Sequence, residues 1–291
     1  MLMSREPQLV ENVKKVMFIR GRKTNDLIMN CLRDLCKYKK PDAMMLSKKN
    51  DIVPFDNAVP IEEFSRKLNM PLFVFGYTNK KRPNSIIFGR TYHHNILDMI
   101  ELGIENYKSI KDFAAEKVFS GSKPCLLFAG EEFKLNPDLN RLQNLLIDLF
   151  QRQEVQSVSL QGLEHVIMFT ASNGKVYFRS YRILLKKSAS KLPRVELEEI
   201  GPSIDFKLQR TKLASSDLFK KACKKPKELK VKKVKNVSVD AFGTKHAQIH
   251  VSKQNIHKLQ TKKMKALRGM PKEKKLSDKK TGNITTESNN Q

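Results

Sequence analysis

The sequence predicts a mixed α/β (α+β) body followed by a basic tail, and three observations lead to this prediction. Apolar residues recur at helical spacing in three segments of the first 150 residues. Apolar runs of strand length lie between and after these segments, and the pair Asn173–Gly174 is typical of a β-hairpin turn. Basic residues accumulate after Lys207, where aromatic residues become scarce. Because the strands pair mostly as hairpins, a doubly wound nucleotide-binding fold is not expected.

The first half of the body contains two helical segments and one hairpin. The apolar residues of each helical segment fall on one stripe, and polar residues at the N-terminus supply a cap. In chain order the predicted elements are a helix over Leu27–Leu35 that Thr24 or Asn25 caps, a helix over Ile61–Leu68, a buried strand over Leu72–Tyr77 and its hairpin partner over Ser85–Arg90. A polar, basic turn over Thr78–Asn84 joins the two strands.

The second half repeats this mixture with more strands. A helix over Pro137–Phe150 carries its leucines on one stripe. The hairpin turn at Asn173–Gly174 is favoured because both of its residues tolerate positive φ. Apolar and alternating runs predict a buried strand over Cys125–Ala129 and further strands over Ser157–Leu160, His165–Ala171, Val176–Leu185 and Val195–Ile200.

The net charge of +26 is concentrated toward the C-terminus. From Lys207 onward the chain has 24 Lys and Arg residues against 6 Asp and Glu residues, whereas the preceding part has 32 against 24. Chains this basic bind polyanions, because cations laid against phosphates release condensed counterions. The tail has two aromatic residues, Phe219 and Phe242, and cannot build a core of its own. The body is therefore expected to end between residues 205 and 217.

Several other classes of protein are disfavoured. No run approaches the roughly 18 apolar residues of a membrane span, and the first residues lack the apolar core of a secretory signal. No phosphate-binding glycine loop, zinc-ligand pattern or nucleophile motif occurs in the sequence. The four cysteines show no paired spacing and are expected to be reduced. The sequence thus predicts an intracellular, non-enzymatic protein that uses no metal or cofactor.

Basic clusters with aromatic neighbours are the candidate contacts to nucleic acid. On the strand over Val176–Leu185, the side chains of Tyr177, Arg179 and Tyr181 fall on one face, which suits stacking on bases and pairing with phosphates. The alternative, which the sequence leaves open, is that the rings pack inward and the arginines form surface ion pairs. The predicted RNA-binding residues of the body are Lys80, Lys81, Arg82, Arg90, Arg179, Arg182, Lys186, Lys187, Arg210 and Lys212.

The tail adds two basic segments. Lys220–Lys235 is nearly a lysine run, which is typical of a solvated disordered arm, of a phosphate-binding segment and of a nuclear import signal. These interpretations are compatible, because such arms often order on their nucleic acid. Ile256–Met270 carries apolar residues among cations and is expected to form a basic helix that Gly269 and Pro271 end. The predicted RNA-binding residues of the tail are Lys232, Lys233, Lys262, Lys263 and Lys265.

Five segments of the chain carry a family resemblance. They are Asn79–Asn84, Asp98–Asn106, Phe178–Tyr181, Val195–Ser203 and Phe242–Thr244. Taken in order, they resemble the Brix domain family from about Arg5 to the region of Met264, and Gly201–Pro202 is similar to the signature that closes Brix domains. One departure lies in that signature, where the basic pair of the family reads Gln209–Arg210. The other is the absence of the longer basic N-terminal extension that the family usually carries before the Arg5–Pro7 region.

The resemblance implies a fold, a role and partners. It implies a Brix domain over residues 14–217, with two similar halves that resemble an anticodon-binding fold, and a disordered or helical basic tail over residues 218–291. It also implies an assembly factor of the nucleus and nucleolus that is not a nuclease. The expected partners are a homologue of regulator of ribosome synthesis 1 in a heterodimer, 5S rRNA with its two ribosomal proteins, and the large-subunit pre-rRNA that receives them. A protein-interaction scaffold without direct RNA binding is the alternative function.

Overall fold

The computed structural model describes most of the body and a small part of the tail. The described residues are 11–116, 118–119, 121–153, 158–159, 162–188, 192–230, 234–240, 244–249 and 253. By their contacts the residues divide into two units, Met1–Lys230 and Val231–Gln291. The predicted helix over Ile256–Met270 lies outside the described residues.

Within these described ranges the chain forms twelve strands, five α-helices and a 3-10 turn at Ile110–Asp112. The strands are β1 (Val16–Gly21), β2 (Ala43–Asn50), β3 (Leu72–Tyr77), β4 (Ser85–Tyr92), β5 (Asn95–Lys108), β6 (Cys125–Ala129), β7 (His165–Ser172), β8 (Lys175–Lys186), β9 (Arg194–Glu199), β10 (Ser203–Lys212), β11 (Val237–Val239) and β12 (Lys245–Ala247). The helices are α1 (Asp26–Lys39), α2 (Val59–Leu68), α3 (Glu132–Leu135), α4 (Pro137–Phe150) and α5 (Ser216–Ala222). Strands β11 and β12 form a separate hairpin in the second unit.

Strands β1 to β10 form one sheet whose two halves repeat the same pattern. The order across the sheet is β2-β1-β3-β4-β5-β10-β8-β7-β6, with β9 paired to β8. In the first half β1 is parallel to β3, and β4 and β5 follow as antiparallel neighbours. In the second half β6 is parallel to β7, and β8 and β10 follow in the same way. The antiparallel pair β5–β10 joins the halves, so the prediction of two similar α/β halves is confirmed.

Helices α1 and α4 cover one face of the sheet and form the main core. Asn25 caps α1, because its side-chain oxygen accepts a hydrogen bond from the backbone N–H of Ile28 at 3.1 Å. The predicted leucine stripe of α4 is buried, and Phe150 at its end lies against the rings of Phe169 and Phe178. Burying each such leucine contributes roughly 1.5–3 kcal/mol. These contacts fix the helices to the central strands of both halves.

The opposite face of the sheet differs between the two halves. In the first half α2 covers it, and Ile61 lies in a second cluster with Phe73 and Phe75. In the second half Tyr177 and Tyr181 of β8 stay partly exposed on this face. The sheet is therefore covered on both faces only in its first half, as far as the described residues show.

Most predicted elements are confirmed. The helix over Pro137–Phe150 has the predicted bounds, and Asn173 and Gly174 have φ values of 55° and 69° in the turn between β7 and β8. Helix α2 begins two residues before the predicted start, with Pro60 in its first turn. The segment Cys125–Ala129 is a strand, but it is half-exposed rather than buried because it lies at the end of the sheet.

One predicted strand is not a strand in its described part, and six observed strands go beyond the predictions. Val158 and Ser159, the described part of the predicted strand Ser157–Leu160, belong to no element. The additional strands are β1, β2, β5, β10, β11 and β12. Charged residues in β2 and β10 interrupt the alternation that a half-buried strand shows, so the pattern alone is weak there. In the described part of the chain, no helix combines the length and apolar character that crossing a membrane requires.

Candidate nucleic-acid interface

The ends of three parallel strands bring exposed cations together at one edge of the sheet. Strands β2 and β3 both run parallel to β1, which lies between them, so all three end on the same side. Arg20 near the end of β1 is in register with Lys49 of β2 and with Gly76 of β3. Neighbouring strands lie about 5 Å apart, so the residues at their ends are close together. We call this the basic edge, and its exposed cations are Arg22, Lys23, Lys48, Lys49, Lys80 and Lys81.

Backbone hydrogen bonds hold the loops of the basic edge in place. The N–H of Thr78 donates to the carbonyl of Lys23 at 2.8 Å, which ties the end of β3 to the end of β1. In the turn that carries Lys80 and Lys81, Asn79 and Arg82 exchange hydrogen bonds of 3.1 and 3.2 Å. The lysines therefore project from a fixed backbone, and binding a ligand there requires little ordering of the loop.

Carboxylates are scarce at the basic edge. Arg22 forms an ion pair with Asp51 at 2.7 Å, but the two side chains are 69% and 70% exposed, so the pair contributes little. For the other five cations, no carboxylate of the described chain lies within 4.0 Å. The basic edge therefore keeps a positive potential that attracts phosphate groups.

Beside the basic edge, Arg210 and the buried carboxylate of Glu101 form an ion pair. Glu101 is fully buried, and it accepts hydrogen bonds from Nε of Arg210 at 2.5 Å and from the hydroxyl of Tyr77. The guanidinium of Arg210 also lies 4.1 Å from the centre of the Phe55 ring. Burial and the hydrogen bond to Glu101 raise the pKa of Tyr77. Arg82 lies 3.9 Å from the same carboxylate. The side chain of Arg210, predicted to contact RNA, is 31% exposed and is paired with this buried carboxylate.

Arg90 lies in the interior, which corrects its predicted role as an RNA contact. Its side chain is 8% exposed. Its guanidinium donates to Asp98 at 2.6 and 2.8 Å and to Asp148 at 2.6 Å, and Asn144 accepts a further hydrogen bond at 2.7 Å. Each nitrogen of its guanidinium therefore already donates a hydrogen bond to a residue of β5 or α4. The sequence places Arg90 at a strand end, but α4 packs across that end and buries it.

The predicted alternation along β8 is confirmed. Tyr177, Arg179 and Tyr181 lie on the partly exposed face, whereas the residues between them are buried. Arg179 donates to Asp205 at 2.6 Å, and its guanidinium lies 5.5 Å from the centre of the Tyr177 ring. The rings therefore do not pack into the core, whereas Arg179 does form the surface ion pair that the alternative interpretation included.

The remaining predicted cations of the second half are mostly paired. Arg182 forms an ion pair with Glu116, and Lys186 forms one with Glu196 at 2.5 Å. Each pair must open before its cation reaches a phosphate, so these residues are weaker candidates than the lysines of the basic edge. Lys187 is exposed at the end of β8.

The end of β10 carries the remaining predicted contacts of the body. Gln209, which stands in the basic pair of the family signature, accepts a hydrogen bond from the hydroxyl of Ser85 at 3.1 Å and packs over Gly103. Lys212 is exposed. The predicted tail contacts, which lie outside the described residues, are Lys232, Lys233, Lys262, Lys263 and Lys265.

Four cations of the basic edge are additional to the sequence predictions, namely Arg22, Lys23, Lys48 and Lys49. A signal for two of them exists in the sequence, because the apolar run Val16–Ile19 is followed directly by Arg20–Lys23. The parallel pairing of β1 with β2 and β3 is what brings these residues next to Lys80 and Lys81.

Comparison with known proteins identifies one family. Residues 21–210 match the Brix domain family. The ribosome production factor 2 homolog of Drosophila melanogaster is 49% identical over 275 residues, which cover 94% of this chain and 86% of the fly protein. The homolog of Mus musculus is 52% identical over 243 residues, covering 84% of this chain and 79% of the mouse protein. The ribosome biogenesis protein RPF2 of Saccharomyces cerevisiae is 40% identical over 279 residues, covering 92% and 81%.

Proposed function

The chain belongs to the Brix domain family, and on that premise we propose that it binds ribosomal RNA through the basic edge. Its relatives are ribosome production factors at 40% to 52% identity over most of its length, so its role lies in ribosome biogenesis. The observation that carries the proposal is the group of five exposed cations at one sheet edge, none of which has a carboxylate of the described chain within 4.0 Å.

The chemistry of the basic edge suits the RNA backbone rather than the bases. Lysine ammonium groups are point charges that pair with phosphates, and phosphate contacts position a protein without reading sequence. Fixed loops at the ends of β1 and β3 keep these charges close together. The basic edge is therefore proposed to supply salt-sensitive affinity for structured rRNA.

The finer role that we propose is the one that the family resemblance implies. With a homologue of regulator of ribosome synthesis 1, the chain would recruit 5S rRNA and its two ribosomal proteins into the large-subunit precursor in the nucleolus. A surface for such a protein partner is available on the open face of the second half. There Leu185, Val195 and Leu197 are 37%, 58% and 52% exposed, and Leu185 is in register with Val195.

The same exposed residues favour the second candidate function, a protein-interaction scaffold without direct RNA binding. In either case the proposed role is not catalytic. We also propose that the Brix domain extends over residues 14–217 and the basic tail over residues 218–291. Helix α5 at the start of that tail packs on the body, because the Phe219 ring lies 3.5 Å from the Arg141 guanidinium.

Matched pairs of substitutions test the basic edge. Lys48→Gln with Lys49→Gln, and separately Lys80→Gln with Lys81→Gln, each remove two charges from it. Arg66→Gln with Lys67→Gln is the control, because it removes two exposed charges from the last turn of α2. The measurement is the affinity of the full chain for 5S rRNA at several salt concentrations.

Each basic-edge pair should weaken binding and reduce the slope of log affinity against log salt by roughly 0.7–0.9 for each phosphate that the variant no longer neutralises. The control pair should leave this slope close to that of the wild type. Equal slopes in all three variants would contradict the proposal. An affinity of the wild type no greater than that of a charge-matched lysine peptide would favour the scaffold function instead.

A further inference from the structure

A second candidate site lies at the far end of β4 from the basic edge. A groove of 790 Å³ opens between the tip of the β4–β5 hairpin, helix α5 and the chain that precedes β1. Strand β4 runs from Ser85, next to the basic edge, to Tyr92 at the groove. At roughly 3.4 Å per residue, the two sites are about 24 Å apart. The groove is therefore separate from the basic edge but within reach of the same RNA molecule.

The hairpin tip presents a pair of aromatic rings to the groove. Tyr92 and Asn95 are in register, so His93 and His94 form the two-residue turn, with φ values of 50° and 65°. This left-handed backbone is rare for residues other than glycine, although histidine tolerates it better than most. The ring of His94 turns toward Ser65, with Nδ1 at 3.3 Å from the hydroxyl. The exposed ring of His93 instead lies against Tyr92, with centroids 4.1 Å apart.

Cations line the groove around these rings. Lys14, Arg90, Lys221 and Lys224 lie on its wall, against the carboxylates of Glu11 and Asp148. Asp148 is already neutralised, because it pairs with Lys14 at 2.7 Å and with Arg90 at 2.6 Å. Lys221 and Lys224 are both exposed and belong to α5 and the residues that follow it. Lys14 is paired with Asp148, and Asp98 balances the charge of Arg90. Lys221 and Lys224 then outnumber Glu11, so the groove keeps an excess of positive charge beside two aromatic rings.

Helix α5 is fixed against the body, so its lysines are held at the groove. Phe219 of α5 lies 3.5 Å from the guanidinium of Arg141 and 5.3 Å from that of Arg90. The backbone N–H of Ala214, just before the helix, donates to Asp98 at 2.9 Å. Because of these contacts, the first residues of the tail lie against the body and form one wall of the groove.

We propose that this groove binds an unpaired nucleotide of the RNA, with the base against Tyr92 and His93 and the phosphates near Lys221 and Lys224. The aromatic rings can stack on the base of a nucleotide, and the cations beside them can pair with its phosphate. The base must be unpaired, because a base inside a duplex is stacked on its neighbours and offers no free face. The inference rests on the proposed RNA binding and adds to it a preference for RNA that carries a single-stranded segment.

Two RNA probes test this preference without a difference in charge. One is an RNA duplex with a short single-stranded adenosine extension, and the other is the same duplex with an abasic extension of equal length. The full chain should bind the adenosine probe about tenfold more tightly, which corresponds to about 1.4 kcal/mol and lies within the range for one stacked base. Tyr92→Leu and His93→Asn should each remove most of this difference, since asparagine tolerates positive φ but has no ring.

His94→Asn is the matched control, because it changes the adjacent turn residue and leaves the exposed ring in place. It should keep the preference for the adenosine probe. The variant with both Lys80→Gln and Lys81→Gln should bind the two probes more weakly than the wild type, by the same factor for each probe. Equal binding of the two probes by the wild type would overturn the inference alone, as would an equal loss in His93→Asn and His94→Asn. Binding of neither probe would overturn the proposed function as well.

Discussion

Replacing Arg210 with alanine should destabilise the protein, because it leaves the carboxylate of Glu101 buried without its main partner. Glu101 is fully buried, and Arg210 donates to it at 2.5 Å. Removing one member of a buried ion pair typically costs about 3–5 kcal/mol. Here Arg82 at 3.9 Å and the hydroxyl of Tyr77 still face the carboxylate, which favours the lower end of that range. We expect a loss of about 3 kcal/mol in the free energy of unfolding.

Urea unfolding of the purified chain, followed by circular dichroism, measures this loss. Lys212→Ala is the control, because Lys212 is exposed on the same strand and its replacement should change stability by less than about 0.5 kcal/mol. Adding Glu101→Gln to Arg210→Ala removes the stranded charge, so the double variant should be more stable than Arg210→Ala alone. Unchanged stability of Arg210→Ala together with weaker RNA binding would refute this reasoning and support the predicted phosphate contact.

Two further predictions concern pH and the tail. Burial, together with the charge of Arg152, lowers the pKa of His165 from 6.5 to about 4, so between these pH values the unfolded chain binds the proton that the folded chain excludes. The free energy of unfolding should therefore fall as the pH drops from 6.5 to 4, and this group should account for up to about 3 kcal/mol of the loss. Urea unfolding at several pH values should show a smaller loss for His165→Gln than for the wild type, and equal losses would contradict the assignment. Residues 231–291 carry 15 Lys and Arg against 4 Asp and Glu, and deleting them leaves the groove intact. The deletion should weaken binding to 5S rRNA and reduce the slope of log affinity against log salt. An unchanged slope would mean that the tail does not contact the RNA.

Local patterns were sufficient to predict helices α1, α2 and α4 and the β3–β4 and β7–β8 hairpins, but not the short helices α3 and α5 or the β4–β5 hairpin. Asn25 and the apolar residues that follow it specify α1, and the leucine stripe specifies α4, because caps and periodicity act within a few residues. The Asn173–Gly174 turn is predictable for the same reason. These signals do not depend on distant parts of the chain.

The candidate site depends on contacts between residues that are far apart in sequence. Lys48 lies at the same sheet edge as Lys80 because β2 and β3 flank β1 in parallel. The sequence pattern predicts a surface position for Arg90. Its guanidinium is instead buried by α4, whose Asp148 lies 58 residues further along the chain, so the local pattern could not predict this contact. Arg210 forms an ion pair with Glu101, which lies 109 residues before it. Charge count alone therefore overestimates the number of cations that are free to bind phosphate.

Crosslinking tests the central claim most directly, namely that the basic edge contacts ribosomal RNA. The full chain would be bound to 5S rRNA, irradiated with ultraviolet light and digested, and the crosslinked peptides would be identified by mass spectrometry. Peptides that contain Lys48–Lys49 and Lys80–Lys81 should carry RNA, and a competing excess of unlabelled 5S rRNA should suppress them together. Crosslinks confined to Lys186, Lys187 and the tail beyond residue 230, with none at the basic edge, would contradict the claim.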